Sequence, residues 1–105
     1  MVRRGWNDMN RLRNEQTDRL VRAFLSLENE EEWYDFLEDL CTIREIQDLA
    51  QRLQVAGMLR GKVTYNEITQ ATGVSTATIS RVNRALSYGS GGYNMVLTRL
   101  EEEDA

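Results

Sequence analysis

The segment TYNEITQATGVSTATISRVNRAL, Thr64–Leu86, leaves its chain little choice of structure. Thr64 with Glu67 is a capping-box pair, and Tyr65 to Thr72 then makes about two helical turns with Ile68 facing inward. Gly73 can enter the left-handed region without steric cost, which turns the chain after a helix. Val74 can plug the angle that results, and Ser75 can cap a second helix. Ile79, Val82 and Leu86 recur at i, i+3 and i+7, a single buried stripe on that helix. The pattern predicts two short helices folded across one tight turn.

The outer face of the second helix carries Thr76, Ala77, Ser80, Asn83 and Arg84. Short hydroxyls, a methyl and a cation can meet base edges and phosphates in a major groove. A helical hairpin with no nucleic acid to bind would more usually fill this face with Glu, Lys and Gln. One position departs from the usual pattern. Thr69, four before Gly73, stands where two nearly touching helices favour alanine, so it requires them to open slightly.

Other classes of function find less support. Cys41 is the single cysteine of 105 residues and there is no histidine, so no intrachain disulfide and no metal-ligand spacing can be drawn. No nucleophile–base pair is visible, and neither enzyme activity nor a cofactor is expected. No apolar run has membrane-spanning length and no signal peptide is recognisable, which suits a reducing, cytoplasmic setting. The formal charge of −4 is unevenly placed. Residues 60–86 set Arg60, Lys62, Arg81 and Arg84 against Glu67 alone, a local +3 that leaves −7 elsewhere. Charge within a Debye length of roughly 8 Å governs phosphate binding, so the acidic remainder does not forbid it.

Proline is absent, and the remaining chain reads as one domain of long helices. Residues 1–13 carry Arg3, Arg4, Arg11 and Arg13 against Asp8, either a terminus with solvated charges or a basic arm that follows DNA. A helix from about Arg11 to Leu27 lines up Leu20, Phe24 and Leu27. Asn29 with Glu32 starts a second helix through about Cys41, with Trp33, Phe36, Leu37 and Leu40 on one side. Thr42 with Glu45 starts a third that runs to about Arg60, apolar around more than half its circumference and therefore central. Gly61 is expected to end it. After the glycine-rich SYGSGGYN a short helix from about Tyr93 to Glu103 is expected, with the acidic tail, 101–105, disordered or loosely helical. Six helices result. Leu12, Leu20, Phe24, Val96, Leu97 and Leu100 exceed what one small core can cover, which predicts a homodimer, with a monomeric bundle as the alternative.

The stretches LCTIREIQDLAQRLQVAGMLRG (Leu40–Gly61), TGVSTATISRVNRAL (Thr72–Leu86) and YGSGGYNMVL (Tyr88–Leu97) together resemble the Trp repressor family, and most closely its Trp-repressor-related YerC/YecD branch. The resemblance implies an all-α, six-helix fold with a helix-turn-helix at 64–86 and an interlaced homodimer. It places Thr76, Ala77, Thr78 and Ser80 at groove-facing positions. Tyr65, Asn66 and Thr69 match positions near the DNA backbone, where Lys62, Arg81 and Arg84 add cations; Lys62, Arg60 or Arg84 can replace the basic residue the family has at Thr69. In the effector pocket, Arg52 and Arg81 match the arginines that hold a tryptophan carboxylate and Thr42 matches a pocket threonine. The same two arginines can instead serve in ion pairs or phosphate contacts. Val82 stands where a glycine makes room for the indole, and Ala85 replaces a serine. Overpacking there costs about 1–3 kcal/mol and the lost polar contact about 0.5–1.5 kcal/mol, so tryptophan is not expected as corepressor.

The sequence is therefore read as a DNA-binding transcriptional regulator, a repressor acting on a two-fold operator in double-stranded DNA. The alternatives are a scaffold protein that keeps the fold without DNA binding, and the DNA-recognition subunit of a transposition system. A small-molecule effector is left open.

Overall fold

The computed structural model describes residues 12–104. Among them are six helices and no strand: α1 (Glu15–Leu25), α2 (Glu30–Leu40), α3 (Ile43–Arg60), α4 (Tyr65–Thr72), α5 (Thr76–Tyr88) and α6 (Gly92–Asp104). The chain gathers into two units, one ending at Ile46 and the other beginning at Gln47. The division falls inside α3.

In the first unit the helix starts are set by side-chain oxygens. Asn14 Oδ1 accepts the Thr17 N–H at 2.8 Å, and Thr17 Oγ1 accepts the Asn14 N–H at 2.9 Å. This reciprocal cap begins α1 at Glu15, the expected start at Arg11 lying outside the described residues, and α1 ends at Leu25, two residues short of the expected Leu27. Asn29 caps α2 through the Glu32 N–H at 3.0 Å, while the Glu32 carboxylate takes the Glu28 N–H instead of that of Asn29. Phe24 stacks on Trp33, with ring centroids 5.1 Å apart, and meets Phe36 edge-on at 5.7 Å. Such ring pairs add about 0.5–1.5 kcal/mol each. Even so, no described residue of this unit is buried.

The second unit has a closed core of Val55, Ala56, Ile68, Val74, Ile79 and Val82. Val55 and Ala56 come from α3, Ile68 from α4, and Ile79 and Val82 from α5, with Val74 in the turn. Burying each large aliphatic side chain is worth about 1.5–3 kcal/mol. Leu97 and Tyr93 of α6 pack against this core, and Leu97 Cδ2 lies 3.7 Å from where a Cβ on Gly57 would stand. Arg60 fastens α3 to α6: its Nη1 donates to the Asn94 carbonyl at 2.9 Å and its Nη2 to Thr98 Oγ1 at 2.7 Å.

α3 ends at Arg60 with Gly61 next, as the sequence expects. Lys62, not Gly61, takes the left-handed conformation, with φ +67°. The Lys62 N–H bonds to the Leu59 carbonyl and the Val63 N–H to that of Met58, each at 3.0 Å, the two bonds of a Schellman closure. A side chain in this conformation costs about 1–2 kcal/mol, which glycine would avoid. The last helix runs one residue beyond the expected bounds at each end. Its 13 residues carry the acidic stretch through Asp104 in helical form.

Candidate nucleic-acid interface

The helix-turn-helix is α4, a three-residue turn and α5. Thr64 Oγ1 accepts the Glu67 N–H at 3.2 Å and donates to the Glu67 carboxylate at 3.0 Å, so one backbone donor is capped here rather than the two expected. Gly73 has φ +74°, the left-handed turn that the sequence implied. Ser75 caps α5 by accepting the Thr78 N–H at 3.2 Å. At its far end α5 stops at Gly89, where a Cβ would collide with the Ala85 carbonyl.

Ile79 and Val82 face the core, which turns the opposite side of α5 outward. Thr76, Ala77, Ser80, Arg81 and Arg84 are all exposed. Ala77, Ser80, Arg81 and Arg84 follow one another at helical spacing and line a shallow hollow of about 250 Å³. Arg81 and Arg84 form no ion pair or hydrogen bond with described residues, so the alternative of intrachain pairing has no partner among these. Thr78 is half-buried and its hydroxyl lies 3.2 Å from that of Ser75, part of the cap. Asn83, expected on the outer face, is half-buried.

Before the turn, Lys62 and Asn66 are exposed and Tyr65 is half-buried against the core. Thr69 has a different setting: its Oγ1 is closed off from solvent and has no hydrogen-bond partner. That is the physical cost of a threonine where the helices press together. Arg60 is committed to α6, with Glu101 Oε2 3.7 Å from its Nη2, so it is not the spare phosphate-binding cation that the sequence allowed. The arginines of residues 3–11 lie outside the described residues.

The expected effector residues are scattered by role. Val82 is 2% exposed and belongs to the core. Ala85 lines an apolar groove of about 430 Å³ with Leu53, Tyr93 and Val96. Arg52 is exposed on α3. Thr42, in the first unit, spends its hydroxyl on the Glu45 N–H at 3.1 Å and receives the Glu45 carboxylate on its own N–H at 2.8 Å. Among the described residues there is no group of His, Cys, Asp and Glu able to hold a metal ion, and no helix long and apolar enough to cross a membrane.

A capped helix-turn-helix with an open, cationic outer face, set on a longer helix and followed by one more, is the architecture of a helical DNA-binding regulator. Residues 15–101 match the family described as Trp repressor protein, and the chain belongs to that family of DNA-binding transcription regulators. It is 53% identical over 96 residues to the uncharacterized protein YerC of Bacillus subtilis (strain 168), a match spanning 91% of this chain and 92% of YerC. The solved structure of a candidate Trp repressor from Staphylococcus aureus is similar with a TM-score of 0.83 and 52% identity, over 89% of this chain and 93% of that one. A TrpR-like protein from Eubacterium eligens ATCC 27750 is similar with the same TM-score and 53% identity, over 88% and 95% of the two chains.

Proposed function

We propose that this protein is a transcriptional repressor of the cytoplasm that binds a two-fold DNA operator as a homodimer, without tryptophan as corepressor. The observation that carries the reading is the outward face of α5, where Thr76, Ala77, Ser80, Arg81 and Arg84 stand exposed opposite the buried Ile79 and Val82. A scaffold derived from the same fold would gain nothing from keeping that face open. Thr76, Ala77 and Ser80 contact base edges, and Lys62, Asn66, Arg81 and Arg84 hold phosphates, with Tyr65 beside them. Thr78 acts mainly through the cap, and the enclosed hydroxyl of Thr69 is not a contact in this arrangement.

A second copy is favoured by apolar surface left open in the single chain. Leu25 is 77% exposed, Val21 54% and Met95 50%, and the groove beside Ala85 is apolar. Two recognition helices in such a dimer would enter successive major grooves roughly 34 Å apart. Selection of bound duplexes from a random pool tests the reading. A palindromic site with half-sites about 10 bp apart is expected, and failure to enrich any sequence would overturn it.

The place of Val82 in the core argues against tryptophan control. Calorimetry is expected to find no micromolar tryptophan binding, and operator affinity is expected to change less than tenfold on adding it, a coupling below about 1.4 kcal/mol. Replacing Val82 by glycine together with Ala85 by serine should begin to open the pocket.

A further inference from the structure

The exposed face of α5 has a particular chemical poverty. It offers no Asn or Gln amide for adenine, since Asn83 is half-buried, and no carboxylate for cytosine. It does offer a methyl group, that of Ala77, open to solvent on the first turn of the helix. Ser80 stands one turn on, and the Arg81 and Arg84 guanidiniums complete the hollow of about 250 Å³. Thr76, also exposed, adds a second methyl at the helix start. In a major groove, one feature of a base pair complements an exposed alanine methyl: the 5-methyl group of thymine. The cations beside it have no described partner and are free to hold the flanking phosphates.

We propose that Ala77 reads the 5-methyl group of a thymine in each half-site, so that the operator is selected by methyl contact at that step. This deepens the DNA-binding reading above and rests on it. The contact excludes water from both methyls and needs no side-chain reorganisation. Each buried methyl is worth about fourfold in affinity, and a two-fold site carrying two should gain about sixteenfold.

The test uses the full chain and the duplex it enriches from a random pool. That duplex is resynthesised with deoxyuridine replacing thymine, one symmetric pair of positions at a time, which removes the methyl and keeps every hydrogen bond. One pair is expected to lower affinity by about sixteenfold while the others change little. Ala77→Gly should bind the thymine and deoxyuridine duplexes equally. Indifference of the unaltered chain to deoxyuridine at every position would overturn the inference and leave DNA binding standing. Discrimination undiminished in Ala77→Gly would overturn the role of Ala77. If no duplex is enriched, the DNA-binding reading fails and this inference falls with it.

Discussion

The two units of the chain solve the burial problem differently. From Gln47 onward, six residues of α3, α4, α5 and the turn close a core around the helix-turn-helix, three of them fully buried large side chains. Up to Ile46, α1 and α2 hold a stacked aromatic cluster whose residues are at most half-buried. Their large apolar side chains, Leu20, Val21 and Leu25 among them, stay exposed. The helix-turn-helix therefore has a scaffold within its own chain, whereas α1 and α2 present surface that a second chain would complete. In the proposed dimer, the part that touches DNA is held by intrachain packing and the part that joins the protomers by packing between chains.

Substitutions can break or sharpen this contrast. The largest effect is expected from Ile68→Ala, which opens a cavity in the closed core and should cost about 2–5 kcal/mol in denaturant unfolding. A loss below about 1 kcal/mol would mean that the core is less closed than its burial implies. Leu20→Asp should act on assembly instead, raising the dimer dissociation constant on the order of a hundredfold in sedimentation, since each dimer loses two apolar contacts. A folded wild-type monomer at micromolar concentration would remove the dimer altogether.

Smaller effects sharpen the view of the core. Thr69→Val replaces an enclosed, unpartnered hydroxyl with a methyl of similar size, and should raise unfolding stability by about 1 kcal/mol. A loss instead would reveal a hydrogen bond made by Thr69 in the dimer. Lys62→Gly relieves the left-handed side chain and should add about 0.5–1 kcal/mol. It should at the same time weaken binding to all DNA sequences alike, which direct titration of operator and random duplexes would check.

Much of this was legible in the sequence, for local reasons. The starts of α2, α3, α4 and α5 follow from an oxygen-bearing side chain ahead of a periodic apolar run, and Gly73 announces its own turn. The cap of α1 was not, because Thr17 takes the place that Glu or Gln usually fills in a capping box. The left-handed conformation of Lys62 was not legible, because its strain shows only in the backbone. The outward face of α5 came from its period, but the burial of Asn83 depends on tertiary neighbours. Arg60 was the hardest to read. A long cation near the helix-turn-helix looks like a phosphate ligand until α6 is placed beside it.

That commitment of Arg60 carries over to the ionic-strength dependence of DNA binding. Affinity falls with salt in proportion to the condensed counterions that a protein's cations displace from the duplex. Arg60 already has Glu101 as counter-ion, at 3.7 Å, so its charge adds little to that release. Among the described residues of the helix-turn-helix and its entry, the cations left to contribute are Lys62, Arg81 and Arg84, six charges in two chains. A logarithmic slope of about −5 follows, against about −7 if Arg60 took part as well. The salt titration of operator binding thus counts which arginines face the DNA, and the hydrogen bonds from Arg60 to α6 set the answer.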